Sequence, residues 1–345
     1  MSTPASDRAA PLTSIGERAL VAFIRTRFPA NPSLLPVGIG DDAAVALPVR
    51  GELEVLTTDA LVEGVHFDLQ FSSLVDVGYK AIAVNLSDVA AMGAKPLLAL
   101  LSLILPADFT VGRLSDLLDG VAAATAENGV AVAGGNMTRS PGPLVVDVTL
   151  TGSVGRRKFL SRGGGRPGDA LYVTGTVGSA AAGLGWLRQF GRDPTVLPED
   201  PGLALCVGRY RRPEPRTRFG LLLGRTRTAS ACMDLSDGLA DAVTQLAESS
   251  GSGAVIRADT LPVASAAADW FTGRSQDPLK ASLAGGDDYE LLFSVSARHK
   301  GRLKTVLQQA RGIRVSRIGE LTADPSIRML RNGLPEPLPE GFSHF

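Results

Sequence analysis

Eight aspartates sit in short motifs among Gly, Ser, Thr and Ala: Asp41 and Asp42, Asp59, Asp88, Asp234, Asp237, and Asp287 with Asp288. Their small neighbours predict turn tips at the ends of apolar segments rather than solvated helix faces. A single aspartate in such a place usually closes an Asx-turn or caps a helix, and Asp234 and Asp237 are placed to open the helix that follows them. Recurrence changes the reading, because gathered carboxylates repel one another unless cations neutralise them. Several hard oxygen ligands point to Mg2+, and Mg2+ points to a phosphate-bearing substrate.

Other signatures are missing or misplaced. No Gly-Lys dipeptide occurs, which excludes a P-loop. Gly163-x-Gly165-x-x-Gly168 spells the dinucleotide fingerprint, but it precedes a strand instead of joining a strand to a helix. The histidines are His66, His299 and His344, too few and too scattered for a Ser-His-Asp hydrolase or a histidine metal cage. Cys206 and Cys232 have no CxxC spacing and form no disulfide framework, which fits a reducing cytosol.

The elements that must position these residues follow from periodicity. Ile15, Leu20, Phe23, Ile24 and Phe28 recur at helical spacing and predict a first helix, ended by Pro29 and Pro32. Strands are expected over 54–59, 97–105 and 144–150, and alanine-rich helices over 77–92 and 114–128. After Gly155 a second set begins, with strands over 170–174 and 290–295 and helices over 179–189, 236–249 and 300–309. Phe159 to Gly168 is basic and glycine-rich, and Pro194 to Pro215 reads as a surface insertion. The chain therefore divides into two α/β domains, 1–155 and 156–345, matching the prior of about 150 residues per domain. The 39 glycines exceed the usual ~7% and suggest many tight turns.

Composition excludes whole classes of partner. Thirty-five Lys and Arg balance thirty-five Asp and Glu, so no basic field draws the chain to nucleic acid. The apolar run from Leu97 to Leu105 falls far short of the ~18 residues that span a bilayer. The opening MSTPASDRAAP has no apolar core and is expected to be a frayed tail, not a signal peptide or anchor.

Five motifs together carry a resemblance: Gly38-Ile-Gly-Asp-Asp-Ala43, Thr57-Thr-Asp-Ala-Leu-Val-Glu-Gly-Val-His-Phe67, the stretch from Tyr79 to Ala94, Asp234-Leu-Ser-Asp-Gly238 and Gly285-Gly-Asp-Asp-Tyr-Glu-Leu291. In this order, and with a Gly341-Phe-Ser-His-Phe345 ending, they resemble the thiamine-monophosphate kinase family. The resemblance implies the two-domain α/β fold shared with aminoimidazole ribonucleotide synthetase, with N-terminal sheets closing a barrel across a homodimer. The apolar strand from Leu97 to Leu105 agrees, since an exposed apolar edge invites pairing. It implies a cytoplasmic enzyme that uses ATP as co-substrate and several Mg2+ ions to convert thiamine monophosphate to thiamine diphosphate. The chemistry suits the residues: a phosphate monoester has a second pKa near 6, so its oxygen is already an anionic nucleophile and needs no general base. What transfer requires is charge cancellation between donor and acceptor phosphates.

Carried over by position, the resemblance makes Asp41, Thr57, Thr58, Asp59, Asp88, Asp234 and Asp237 ligands of Mg2+, with Asn136 in the place of a further one. It makes Gly135, Arg162 and Ser236 contacts to ATP, and His66, Asp287 and Phe342 contacts to the substrate. Two departures stand out. The family's Gly-Gly-Asp-Thr-Thr-Arg is here Gly134-Gly135-Asn136-Met137-Thr138-Arg139, so an amide replaces a carboxylate and one unit of charge is lost. The family's Gly-Gly-Glu-Asp becomes Gly285-Gly286-Asp287-Asp288, one methylene shorter. Two other readings compete: an amidine- or selenophosphate-forming synthetase of the same fold, the latter needing a reactive N-terminal cysteine, and a non-catalytic nucleotide-binding relative disabled at Asn136. ADP formation with and without thiamine monophosphate separates all three.

Overall fold

The computed structural model describes residues 8–28 and 31–341, in two compact units. The first comprises the described residues up to Leu86 together with Pro96–Ser153 and Arg192–Thr195; the second comprises Ser87–Lys95, Val154–Gly191 and the described residues from Val196 on. Helix α1 (Glu17–Arg27) precedes β1 (Glu52–Val62), α2 (Leu74–Ala91), β2 (Lys95–Pro106), α3 (Val111–Asn128), β3 (Ala131–Ser140) and β4 (Val145–Gly155). Pro29, expected to end the first helix, lies outside the described residues.

The first unit is built on a four-stranded sheet of order β1-β4-β2-β3. Alternation on β4 buries Val146, Val148 and Leu150 on one face and turns Asp147 and Thr149 to the other. On β2 the same period buries Ala99, Leu101, Leu103 and Leu105, while Leu100 stands out at 40% exposure. β2 and β3 run parallel, which demands a crossover, and α3 supplies it. Thr110 caps α3 by accepting the amide N–H of Arg113 at 3.3 Å, and Gly129 ends it in the left-handed region. β2 lies between β4 and β3, so the apolar strand that suggested an exposed edge is an inner strand. Its apolar character goes with the burial of Ala99, Leu101, Leu103 and Leu105 on one face.

Glycine has a second use here besides turns. A Cβ on Gly78 of α2 would lie 2.0 Å from the carbonyl oxygen of Leu117, and one on Gly120 of α3 would lie 1.9 Å from that of Val75. The two helices therefore meet backbone to backbone, at positions only glycine allows.

The second unit continues with β5 (Ala170–Thr174), α4 (Ser179–Phe190), α5 (Pro201–Arg211), α6 (Thr217–Thr226), β6 (Ala231–Asp234), α7 (Leu239–Ser249), β7 (Gly253–Arg257), α8 (Ser265–Thr272), α9 (Pro278–Ala284), β8 (Leu291–Val295), α10 (Lys300–Gln309), β9 (Val315–Thr322), β10 (Ile327–Arg331) and β11 (Leu334–Glu336). Its sheet has the order β11-β10-β7-β9-β5-β8-β6, and every residue of the inner strand β8 is buried. Such a run requires cover on both faces. Leu171, Val173, Met233 and Leu292 pack with Leu246 of α7 in one core, while Cys232, Leu291 and Phe293 pack with Phe219 of α6 and Val306 of α10 in another.

The stretch from Pro194 to Pro215 is not the surface insertion its prolines suggested. Pro201 occupies the first turn of α5, where no backbone N–H is needed, and Asp200 caps that turn by accepting from the amide of Leu203 at 2.7 Å. Cys206, Val207 and Tyr210 of α5 are buried, and the helix packs on α4 so closely that a Cβ on Gly183 would sit 2.2 Å from the Cys206 carbonyl oxygen. Burial pushes the Cys206 thiol up to about 11 and the Cys232 thiol higher still, so both are unreactive. Among the described residues, no helix is long and apolar enough to cross a membrane.

Candidate functional site

In the first unit, Asp41 sits in an exposed turn and accepts the amide N–H of Asp42 at 2.8 Å. Asp59 is not at the turn tip its neighbours suggested but, with Thr57 and Thr58, in the strand expected over 54–59. They lie inside β1, where the two-residue period puts Thr57 and Asp59 on the half-buried face with Leu61 and Thr58 on the open one. The Thr58 hydroxyl donates to Asp147 Oδ1 at 3.0 Å and lies 3.2 Å from Thr149 Oγ1.

Asn136 is exposed on β3 opposite Ser102, and a Cβ on neighbouring Gly135 would fall 1.9 Å from the Leu101 carbonyl oxygen, so glycine is required there. Asp41, Gly135 and Asn136 line one cavity of about 1560 Å3, together with Asp147 and Thr149, whereas Thr57, Thr58 and Asp59 do not reach it. His66 lies just past the end of β1, where its Nδ1 accepts the amide N–H of Val62 at 3.1 Å.

The second unit gathers the rest. Asp234 ends β6, is only 4% exposed, and accepts the Ser87 hydroxyl at 2.8 Å. Ser87 and Asp88 belong to the last turns of α2, whose Ala90 and Ala91 pack with Phe219 and Cys232. A Cβ on Gly220 would sit 2.0 Å from the Ala90 carbonyl oxygen. Asp88 is inside the helix expected over 77–92 and not at the turn tip its small neighbours suggested, and the Ser87 bond brings its neighbourhood to Asp234.

The loop after Asp234 and the loop before β8 are zipped together. Leu235 donates to the Glu290 carbonyl at 2.9 Å, Tyr289 to the Leu235 carbonyl at 3.0 Å, and Asp287 to the Ser236 carbonyl at 2.8 Å. Asp287 and Tyr289 are both left-handed, at φ 68° and 48°, a conformation that costs about 1–3 kcal/mol per residue and persists only when its surroundings enforce it. The Tyr289 hydroxyl donates to Asp287 Oδ1 at 3.1 Å. α7 is preceded by Gly238 with no side-chain cap bond, so neither Asp234 nor Asp237 caps it.

Arg162, exposed, donates to Gln245 Oε1, and Gln245 Nε2 donates to Asp241 Oδ2, which ties the glycine-rich segment to α7. Gly341 closes on the same turn, where a Cβ would meet the Asp237 carbonyl oxygen at 2.9 Å. Phe342 lies outside the described residues.

Asp288 and Glu290 of the same motif belong to a buried polar layer whose partners the sequence did not single out. Asp288 accepts the amide N–H groups of Gly178 at 2.6 Å and Ala180 at 3.0 Å, at the start of α4. Burial pushes its carboxyl up to about 7 against the pull of those two amides, and the charges of Glu290 and Asp287 add to the rise. Glu290 accepts the Thr174 hydroxyl at 2.5 Å and a forked pair of bonds from Arg216, Nε to Oε2 at 2.6 Å and the terminal nitrogen to Oε1. Burial opposes the Arg216 charge, but its bonds and attraction to Glu290 outweigh that and raise its pKa. Acids immediately before a largely apolar strand are the available signal; their cation, 74 residues away, is not legible in the sequence.

The structure thus brings Asp41, Gly135 and Asn136 to one cavity in the first unit. It groups Asp234, Ser236, Asp237 and Asp287 in the second, with Asp88 and Arg162 tied to them. Among the described residues, no three His, Cys, Asp or Glu side chains gather in a way that would hold a metal ion.

Residues 40–154 match the family described as AIR synthase related protein, N-terminal domain, and residues 166–331 match AIR synthase related protein, C-terminal domain. The thiamine-monophosphate kinase of Salmonella typhimurium is 35% identical over 332 residues, covering 96% of this chain and 98% of its own length. Among solved structures, the thiamine-monophosphate kinase from Stenotrophomonas maltophilia aligns with a TM-score of 0.82 at 35% identity, over 93% of this chain and 98% of that one. AaThiL complexed with AMPPCP and TMP aligns with a TM-score of 0.75 at 31% identity, over 97% of this chain and 98% of that one.

Proposed function

The chain belongs to the thiamine-monophosphate kinase family, and from that premise we infer that it transfers a phosphoryl group from ATP to thiamine monophosphate, giving thiamine diphosphate and ADP. The observation that carries this reading is the near full-length likeness to a relative solved with AMPPCP and TMP together. It is tested by incubating the purified chain with ATP and Mg2+. Thiamine diphosphate should form from the monophosphate and not from free thiamine. Robust phosphorylation of free thiamine would sink the reading, because an alcohol nucleophile needs the general base that this chemistry leaves out.

In this reading Gly135, Arg162 and Ser236 contact ATP, and His66, Asp287 and Phe342 contact the substrate. Asp41, Thr57, Thr58, Asp59, Asp88, Asn136, Asp234 and Asp237 are the candidate Mg2+ ligands. The donor chemistry fits: all eight offer oxygen, and Mg2+ is commonly held by one or two carboxylates plus substrate phosphates rather than by a closed protein cage. When bound, Mg2+ supplies the charge cancellation between two phosphates that in-line transfer requires. The chain's own part is orientation. Ser87 fixes the Asp234 carboxylate, Tyr289 fixes that of Asp287, and the Gln245 bond holds Arg162 against α7.

Asn136 permits a test of one ligand position. An anionic oxygen binds Mg2+ more strongly than a neutral carbonyl, so Asn136→Asp should lower the Mg2+ concentration for half-maximal activity, even though the added charge also repels incoming phosphate. An unchanged or higher Mg2+ requirement removes position 136 from the ligand set.

The reading extends to a cytoplasmic homodimer whose N-terminal sheets close a barrel. Its support is the open face of the first-unit sheet, where Leu56 is 67% and Leu100 40% exposed. Light scattering should give twice the 35.9 kDa chain mass, and a monomer mass at micromolar concentration overturns this part.

A further inference from the structure

The second unit carries a cavity of about 440 Å3 that shares no residue with the Asp234–Gly238 and Gly285–Glu290 loops. Arg157, Lys158, Arg166, Arg227 and Arg298 line it, with His299, and the one acid in its wall is Asp169. Asp169 is 5% exposed and is occupied in part by the backbone N–H of Arg166 at 3.2 Å. The chain as a whole has no net charge, so this concentration of cations is local and does not follow from a basic composition.

The walls are held in place by close backbone packing. A Cβ on Gly164 would lie 2.7 Å from the Ser230 carbonyl oxygen, and one on Gly224 would lie 2.6 Å from that of Lys158. Arg302 donates to the Arg227 carbonyl at 3.0 Å, which fixes the turn at the end of α6. Like charges around one concavity repel, and an anion seated among them relieves the repulsion.

Burial first, then the charges of Arg302 and Arg298, lowers the His299 pKa. Phe159, 49% exposed, gives the same cavity a flat apolar surface beside the cations.

We propose that this cavity is a second, non-catalytic site for a phosphorylated ring compound of nucleotide size, its phosphates on the Arg and Lys side chains and its ring against Phe159. The volume falls within the roughly 300–1,000 Å3 usual for small-molecule sites, and guanidinium groups bind phosphate oxygens in forked pairs.

Equilibrium dialysis of the full chain with ADP and Mg2+ should give two ADP bound per chain. The exposed double variant Arg157→Glu/Arg298→Glu should bind one, with turnover at saturating substrates and the KM for ATP within twofold of wild type. Phe159→Ala should weaken the second ADP at least tenfold while leaving inorganic diphosphate within twofold. A single ADP per wild-type chain overturns the proposal, and so does loss of turnover together with the second ADP, since the cavity would then belong to the catalytic site. Equal effects of Phe159→Ala on ADP and diphosphate overturn the ring assignment. Failure of the kinase reading shows separately, as absence of thiamine diphosphate.

Discussion

Asp59→Asn and Asp88→Asn should each cut turnover on the order of 10²–10³-fold, the loss typical when one electrostatic partner of a transition state is removed, while each variant melts near wild type. The structure sharpens this expectation by removing the bland explanation of both residues. Asp59 lies within β1 and Asp88 within α2, so neither caps a helix. Asp88 is moreover in the last turn of α2, where the partial negative charge of the helix end disfavours a carboxylate. Neutralising it relieves that unfavourable interaction with the helix end. A cap would behave in the opposite way, losing about 0.5–2 kcal/mol of stability with activity kept. Melting curves and initial rates on the same two preparations separate the alternatives: early melting with normal turnover would remove both residues from the metal-binding set.

The misplacement of these two aspartates shows where sequence reasoning reached its limit. Small neighbours suggest turns around both aspartates, while apolar spacing suggests a strand over 54–59 and a helix over 77–92; the structure follows the periodicity, and the functional demand for an aspartate inside an element overrides its low propensity there. β3 went unrecognised for a related reason. Gly134, Gly135 and Asn136 are poor strand formers, and what keeps them in a strand is the approach of β2, visible only as the clash a Gly135 side chain would make with Leu101. The prolines at 201, 213 and 215 hid α5 and α6, because Pro201 starts a helix as readily as it breaks one. Strongly periodic elements were legible: α2, α3, β4, β5, α4 and α10 fall where their apolar spacing put them, to within a few residues at each end. The aspartate motifs were legible as chemistry. The layer that braces them was not, since nothing local ties Arg216 to Glu290.

That brace should dominate the stability of the second unit. Arg216 and Glu290 are 11% and 4% exposed at the side chain, and the forked geometry satisfies both oxygens of the carboxylate. Glu290→Ala leaves the largely buried Arg216 guanidinium with only the exposed Glu214, at 3.3 Å, and also removes the acceptor of the Thr174 hydroxyl, so it should cost about 3–5 kcal/mol in denaturant unfolding. Replacing both partners by apolar residues of similar volume, as in Arg216→Met/Glu290→Leu, removes the uncompensated charge and should recover most of the loss. An unfolding midpoint for Glu290→Ala equal to that of wild type would show that the pair contributes nothing. The double variant also separates folding from function. Glu290 ends the segment that holds Asp287 in its left-handed conformation, and its carbonyl pairs with Leu235 beside Asp234. With the ionic brace gone, stability can return while Asp287 loses its fixed position, so the KM for thiamine monophosphate should rise more than the KM for ATP. Equal changes in both constants would instead mean that the brace holds the unit together without aiming Asp287.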